Sequence, residues 1–119
     1  MNFSKFLMTL LIGIVFLSAC NKGDVPEETL PECIAAKIKS LQAEDVWNPP
    51  ASIWQYEYNG QVVYFIPQHC CDMQSILLDG NCKTVCIPDG GITGKGDGTC
   101  PDFFSSRKNE KLIWQDEGK

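Results

Sequence analysis

His69-Cys70-Cys71-Asp72 gathers an imidazole, two thiols and a carboxylate in four consecutive positions, the side-chain types that a zinc site or a Cys/His nucleophile needs. Adjacent side chains diverge, however, and do not all converge on one tetrahedral ion. His69 is the sole histidine, so no second imidazole can join it. The expectation is a turn beside disulfide-bonded cysteines, with a small enzyme using a Cys70 or Cys71 thiol and His69 as the rival reading.

Asp89-Gly90-Gly91-Ile92-Thr93-Gly94-Lys95-Gly96-Asp97-Gly98 is the second chemically suggestive stretch. Successive backbone N–H groups in such a loop could line a concave anion site with Lys95 beside it. It is not a P-loop: the position five before Gly94 is Asp89, and Gly96 follows Lys95 where Ser or Thr is required. Asp89, Asp97 and Asp102 with Thr93 offer hard oxygen ligands for calcium, but without the regular spacing of a calcium loop. The plainer account is a chain path that needs positive φ and close packing. Asp89, Thr93, Lys95 and Asp97 are the candidate ligand-contacting residues. Closed by Cys86 and Cys100, the segment also resembles in physical terms the binding loop of a small protease inhibitor with Lys95 entering a specificity pocket, although glycines on both sides of Lys95 argue for a floppy loop. Trp47, Trp54, Tyr56, Tyr58, Tyr64, Phe103, Phe104 and Trp114 are many aromatics for so short a chain. Most should be core; Tyr58 and Tyr64 are the two placed to serve as surface stacking platforms.

These groups are useful only where they are delivered and held. Leu17-Ser18-Ala19-Cys20 closes an apolar run from Phe6 to Phe16 and reads as a lipobox, so residues 1–19 are expected to be a lipoprotein signal peptide, itself helical in the precursor. Mature protein would then begin at Cys20 carrying a diacylglyceryl lipid (and a further acyl group such as palmitate), with two chains making the membrane anchorage stable. Residues 20–31 form an acidic tether, and residues 32–119 a single domain of about 88 residues. The net charge of −5 becomes −6 when Lys5 is removed with the signal. An acidic chain without a basic stripe is a poor nucleic-acid binder.

Six cysteines remain beyond Cys20: Cys33, Cys70, Cys71, Cys82, Cys86 and Cys100. An even number in an exported chain argues for three disulfides. A Cys70–Cys71 bridge would be strained, and Cys82 with Cys86 on one strand would sit too far apart. Of the 15 pairings that six cysteines allow, excluding these leaves about ten. Cys86 with Cys100 is favoured because it closes the glycine-rich loop, while Cys70 and Cys71 should tie their turn to two different elements.

Ile34, Ile38 and Leu41 recur on one face of a short helix, with Pro31 in its first turn and Cys33 bolting it to the rest. The helix should end before Asn48-Pro49-Pro50. Ser52 to Tyr58 and Gln61 to Ile66 flank Asn59-Gly60, a type I′ hairpin signal. In that register Trp54 opposes Phe65 and Tyr56 opposes Val63 on the expected core face, whereas Glu57 with Val62 and Gln55 with Tyr64 share the other. A second hairpin should turn at Asp79-Gly80-Asn81, and Lys111 to Gln115 should add a strand. The fold expected is α+β: a small disulfide-stabilised antiparallel sheet of four to five strands with one packed N-terminal helix.

Trp54-Gln55-Tyr56-Glu57-Tyr58-Asn59-Gly60, the Cys70-Cys71-Asp72 turn, the run from Cys86 through Pro88-Asp89-Gly90-Gly91 and Gly94-Lys95-Gly96-Asp97-Gly98 to Cys100-Pro101-Asp102-Phe103, and the closing Leu112-Ile113-Trp114 together resemble a family of small Bacteroidota-type lipoproteins with a domain of unknown function. The likeness runs from about Cys33 to Asp116. It implies a bacterial cell-envelope location, outer membrane or cell surface, and carries over no catalytic residues. The expected function is a non-catalytic binding or interaction module, lipid-anchored outside the cytoplasm, for an envelope protein or small ligand. The alternatives are a small envelope enzyme with a Cys/His site and a protease inhibitor; no cofactor and no metal are called for.

Overall fold

The computed structural model describes residues 29–70 and 72–118. The signal-peptide helix, the lipidation at Cys20, most of the tether and Cys71 therefore lie outside the described residues. Among those described, no helix is long and apolar enough to cross a membrane.

Helix α1 (Glu32–Gln42) is followed by β1 (Ser52–Tyr58), β2 (Gln61–Ile66), β3 (Ile76–Leu78), β4 (Thr84–Cys86), the short α2 (Phe103–Ser106) and β5 (Lys108–Gln115). The five strands form one antiparallel sheet in the order β4-β3-β2-β1-β5. Asn59 at φ 50° and Gly60 at φ 77° make the β1–β2 turn, and the pairing Trp54↔Phe65, Gln55↔Tyr64, Tyr56↔Val63 is the register that a two-residue turn imposes. Asp79 Oδ1 accepts the N–H groups of Asn81 and Lys83 and so fastens the β3–β4 turn. Pro31 caps α1, its carbonyl accepting the N–H groups of Ile34 and Ala35.

The sheet has a core on each face, which corrects the expectation of a single core face. On one side Tyr56, Tyr58, Val63, Phe65 and Leu77 pack with Phe103 of α2 and the Cys86–Cys100 bridge. On the other, Ile53, Tyr64, Ile66 and Leu78 pack against Ile34 and Leu41 of α1. Tyr58 and Tyr64, expected as surface platforms, are 4% and 3% exposed. Alternation in β2 sends Tyr64 to the α1 side and Phe65 to the α2 side, and both sides are covered. The Tyr58 hydroxyl donates to Asp102 Oδ1 at 2.6 Å, and the Tyr56 hydroxyl to Glu110 Oε1 at 2.6 Å. Burial and the Glu110 carboxylate push the Tyr56 phenol up to about 12.

Among the described residues, two disulfides are formed. Cys33–Cys82 joins α1 to the β3–β4 hairpin and Cys86–Cys100 spans the glycine loop, with Cα separations of 5.9 and 6.2 Å. The expected third bridge is corrected at Cys70, which is a free, exposed thiol.

Candidate functional site

Loop 87–99 is a small structure in its own right. The N–H of Gly90 donates to Gly94 O, that of Gly94 to Gly91 O, that of Gly96 to Gly90 O and that of Asp97 to Ile87 O. Lys95 N–H donates to Thr93 Oγ1 at 3.3 Å. Five of the loop's amide donors, those of Gly90, Gly94, Lys95, Gly96 and Asp97, are thus spent inside the loop. The loop is also braced, not floppy as its glycines suggest.

Asp97 is the brace. Its Oδ2 accepts Ile87 N–H at 3.0 Å, and its Oδ1 accepts Thr99 N–H at 3.0 Å and the Thr99 hydroxyl at 2.8 Å. Asp97, also a candidate ligand contact, thus holds the loop's two ends together from its exposed position. Asp102 is similarly taken up by Tyr58 and Ser106, and among the described residues no group of three His, Cys, Asp or Glu side chains is placed to hold a metal ion. Asp89 is half-buried; its carbonyl accepts Ser75 N–H, its N–H donates to Ser75 Oγ, and its Oδ1 is buried without a hydrogen-bond partner. Of the four candidates Thr93, Lys95 and Asp97 are exposed, and only Asp89 is half-buried.

Thr99, through its backbone and then its hydroxyl, lowers the Asp97 carboxyl below its ordinary value of 3.8. A lowered carboxyl contributes above its unfolded value and loses that contribution as the pH falls through its folded value. Hydrogen exchange at the Ile87 and Thr99 amides is therefore expected to speed up below about pH 4 while amides at the centre of the sheet stay protected. Uniform loss of protection, or no change at Ile87 and Thr99, would contradict this role for Asp97.

Two loop glycines are required by space as well as by φ. A Cβ on Gly96, at φ 65°, would lie 1.9 Å from Ile87 O, and one on Gly90, at φ 90°, 2.4 Å from Met73 O. Gly94 has a similar φ of 72° but open space around it. Gly96→Ala is expected to cost at least about 2 kcal/mol and Gly94→Ala about 1 kcal/mol, the second being backbone strain alone. Thermal denaturation of the two variants checks the difference, and equal shifts would mean that the Ile87 contact yields without cost.

The braced loop faces the segment leading into β3 across a cleft of about 660 Å³ lined by Asp72, Met73, Gln74, Ile76, Ile87 and Ile92, among others. Ile92, at the loop surface, is 97% exposed and Met73 47%. Both were missed in the sequence, where the signal was one aliphatic residue among glycines and polar groups at Gly91-Ile92-Thr93. A neighbouring cleft of about 460 Å³ shares Asp72, Gly90 and Gly91 as walls and is lined also by His69 and Cys70. The His69 ring stacks on Trp47 with centroids 3.8 Å apart. His69, Cys70 and Asp72 thus line one cleft, without being placed among the described residues to hold a metal ion together.

No curated protein and no solved structure matches the chain. One family model does, over residues 39–116, a span that starts within α1 after Cys33 and takes in all five strands, both disulfide-bonded loop ends and both clefts. By that match the chain belongs to the family defined by the domain of unknown function DUF6970.

Proposed function

We propose that the protein is a lipid-anchored, extracytoplasmic binding module of a Bacteroidota-type cell envelope, with the 87–99 loop and the cleft beneath it as its working surface. The observation that carries the binding surface is Ile92: an aliphatic side chain 97% exposed on a loop held by its own hydrogen bonds, a disulfide and Asp97. A braced loop loses little freedom on binding, and apolar anchors set beside a cleft are the usual source of binding energy. Two disulfides suit an oxidising compartment, and the lipobox ending at Cys20 supports the anchor.

The combined Ile92→Ala, Thr93→Ala and Lys95→Ala variant is expected to melt within a few degrees of wild type yet lose capture of its partner from native envelope extracts. Capture that survives the triple change would refute the loop as the binding surface. The anchor is tested separately by mass spectrometry of the mature N-terminus, where an unmodified Met1 would exclude it.

A second reading is favoured by the free Cys70 thiol in the cleft that His69 also lines. In this reading the protein is a small envelope enzyme using thiol chemistry. Thiols counted in denatured, unreduced mature protein decide it, since a count of zero leaves no nucleophile.

A further inference from the structure

We propose that the cleft where β5 meets the end of α1 is a binding site for a neutral saccharide. It lies at the β5 edge of the sheet, opposite the β4 edge that bears the glycine loop, and it does not depend on the function proposed for that loop. The cleft measures about 390 Å³ and is lined by Gln42, Trp114, Gln115, Asp116, Glu117 and Gly118. That volume falls within the range of small-molecule sites.

Trp114 sets this cleft apart from the rest of the surface. The Trp47 indole N–H donates to Glu44 Oε2 at 2.9 Å and that of Trp54 to Ser52 Oγ at 3.0 Å. The Trp114 N–H has no hydrogen-bond partner among the described residues, and it is not among the buried unpaired atoms, so it opens to solvent. The ring itself is half-buried against the α1-side core, and its backbone is held opposite Ile53 in the β1–β5 ladder. Beyond the strand, Asp116 N–H donates to Ala51 O at 2.8 Å and Gly118 N–H to Asp116 Oδ1 at 3.0 Å, so the wall that carries the carboxylates is pinned to the fold.

A fixed indole face suits the C–H face of a sugar ring, and tryptophan combines that apolar face with a polar edge. Around it stand two amides, each able to donate and accept, and two carboxylates able to accept from hydroxyls. A ligand rich in hydroxyls satisfies all of these groups at once. An organic cation would suit the carboxylates and the ring face but would leave the indole N–H and the amide N–H donors without an acceptor, so the mixed donor and acceptor set favours the saccharide.

The test is titration of the purified full-length chain with maltotetraose, cellotetraose and tetraacetylchitotetraose, alongside a printed array of neutral oligosaccharides, read by tryptophan fluorescence and calorimetry. At least one neutral oligosaccharide is expected to bind with a Kd of about 1 mM or tighter. Because Trp114→Ala removes a ring packed on the core and so confounds binding with folding, the deciding variant is Gln42→Ala with Gln115→Ala, both exposed side chains. It should weaken binding about tenfold at unchanged melting temperature, the loss of roughly one or two net hydrogen bonds. Absence of binding across the array, binding indifferent to the double variant, or displacement of the sugar by tetramethylammonium would each overturn the proposal.

Discussion

Phe103→Ala is expected to destabilise the domain by about 4 kcal/mol, a large part of the roughly 5–15 kcal/mol that holds a domain of this size together. Phe103 is fully buried, and its ring centroid lies 5.6 Å from Tyr56, 5.4 Å from Tyr58, 5.3 Å from Phe65 and 5.2 Å from Phe104. It is the one side chain of α2 that closes the core on that face, so its removal leaves a void that the strands cannot collapse into. Arg107 adds to the cluster from outside, its guanidinium 4.8 Å from the Tyr56 ring and 5.0 Å from Phe104. Phe104 is the internal control: being 43% exposed, its change to alanine should cost about 1 kcal/mol, mostly edge-to-face contact with Phe65 and Phe103. Urea denaturation of both variants gives the comparison. Similar losses would mean that Phe103 is not the hub of this core.

Removing the Cys33–Cys82 bridge by paired serine substitution should cost about 4 kcal/mol on the chain-entropy account, against about 3 kcal/mol for Cys86–Cys100. The difference follows from sequence separations of 49 and 14 residues. The first bridge also has more to hold. Helix α1 has 11 residues, too few to persist alone in water, and its contribution is made through Ile34 and Leu41 against the sheet. Denaturant melts of the two double variants should therefore rank Cys33/Cys82 below Cys86/Cys100, with a steeper dependence on denaturant as the unlinked unfolded chain exposes more surface. The reverse ranking would show that the helix is secured chiefly by packing.

Where the chain carries a local rule, the fold was legible. Asn59-Gly60 set the β1–β2 register residue by residue, and Asp79-Gly80-Asn81 marked the second hairpin. The spacing of Ile34, Ile38 and Leu41 located α1. The two-sided core was written less openly: Val62 to Ile66 is an unbroken apolar run, the pattern of a strand covered on both faces, but the polar Gln55 and Glu57 across from it suggested one wet face. Helix α2 follows Pro101-Asp102 and spans four residues, too short for periodicity to register. At the site, the glycine loop was visible as composition, whereas the work of Asp97 and the clash that keeps Gly96 a glycine depend on Ile87, which only the folded chain brings alongside. Cys70 escaped because counting cysteines says nothing about which sulfurs come within reach.

Both bridges converge on the β3–β4 hairpin, one from each side of the sheet. Pulled from its two ends, the chain would transmit tension from Cys33 directly into Cys82 and from Cys86 directly into Cys100, so the intervening stretches would bear none of the load until a sulfur–sulfur bond was cut. Force spectroscopy would then record a contour shorter than the residue count requires, with the five-residue link from Cys82 to Cys86 as the only part of the path between the two bridges able to extend.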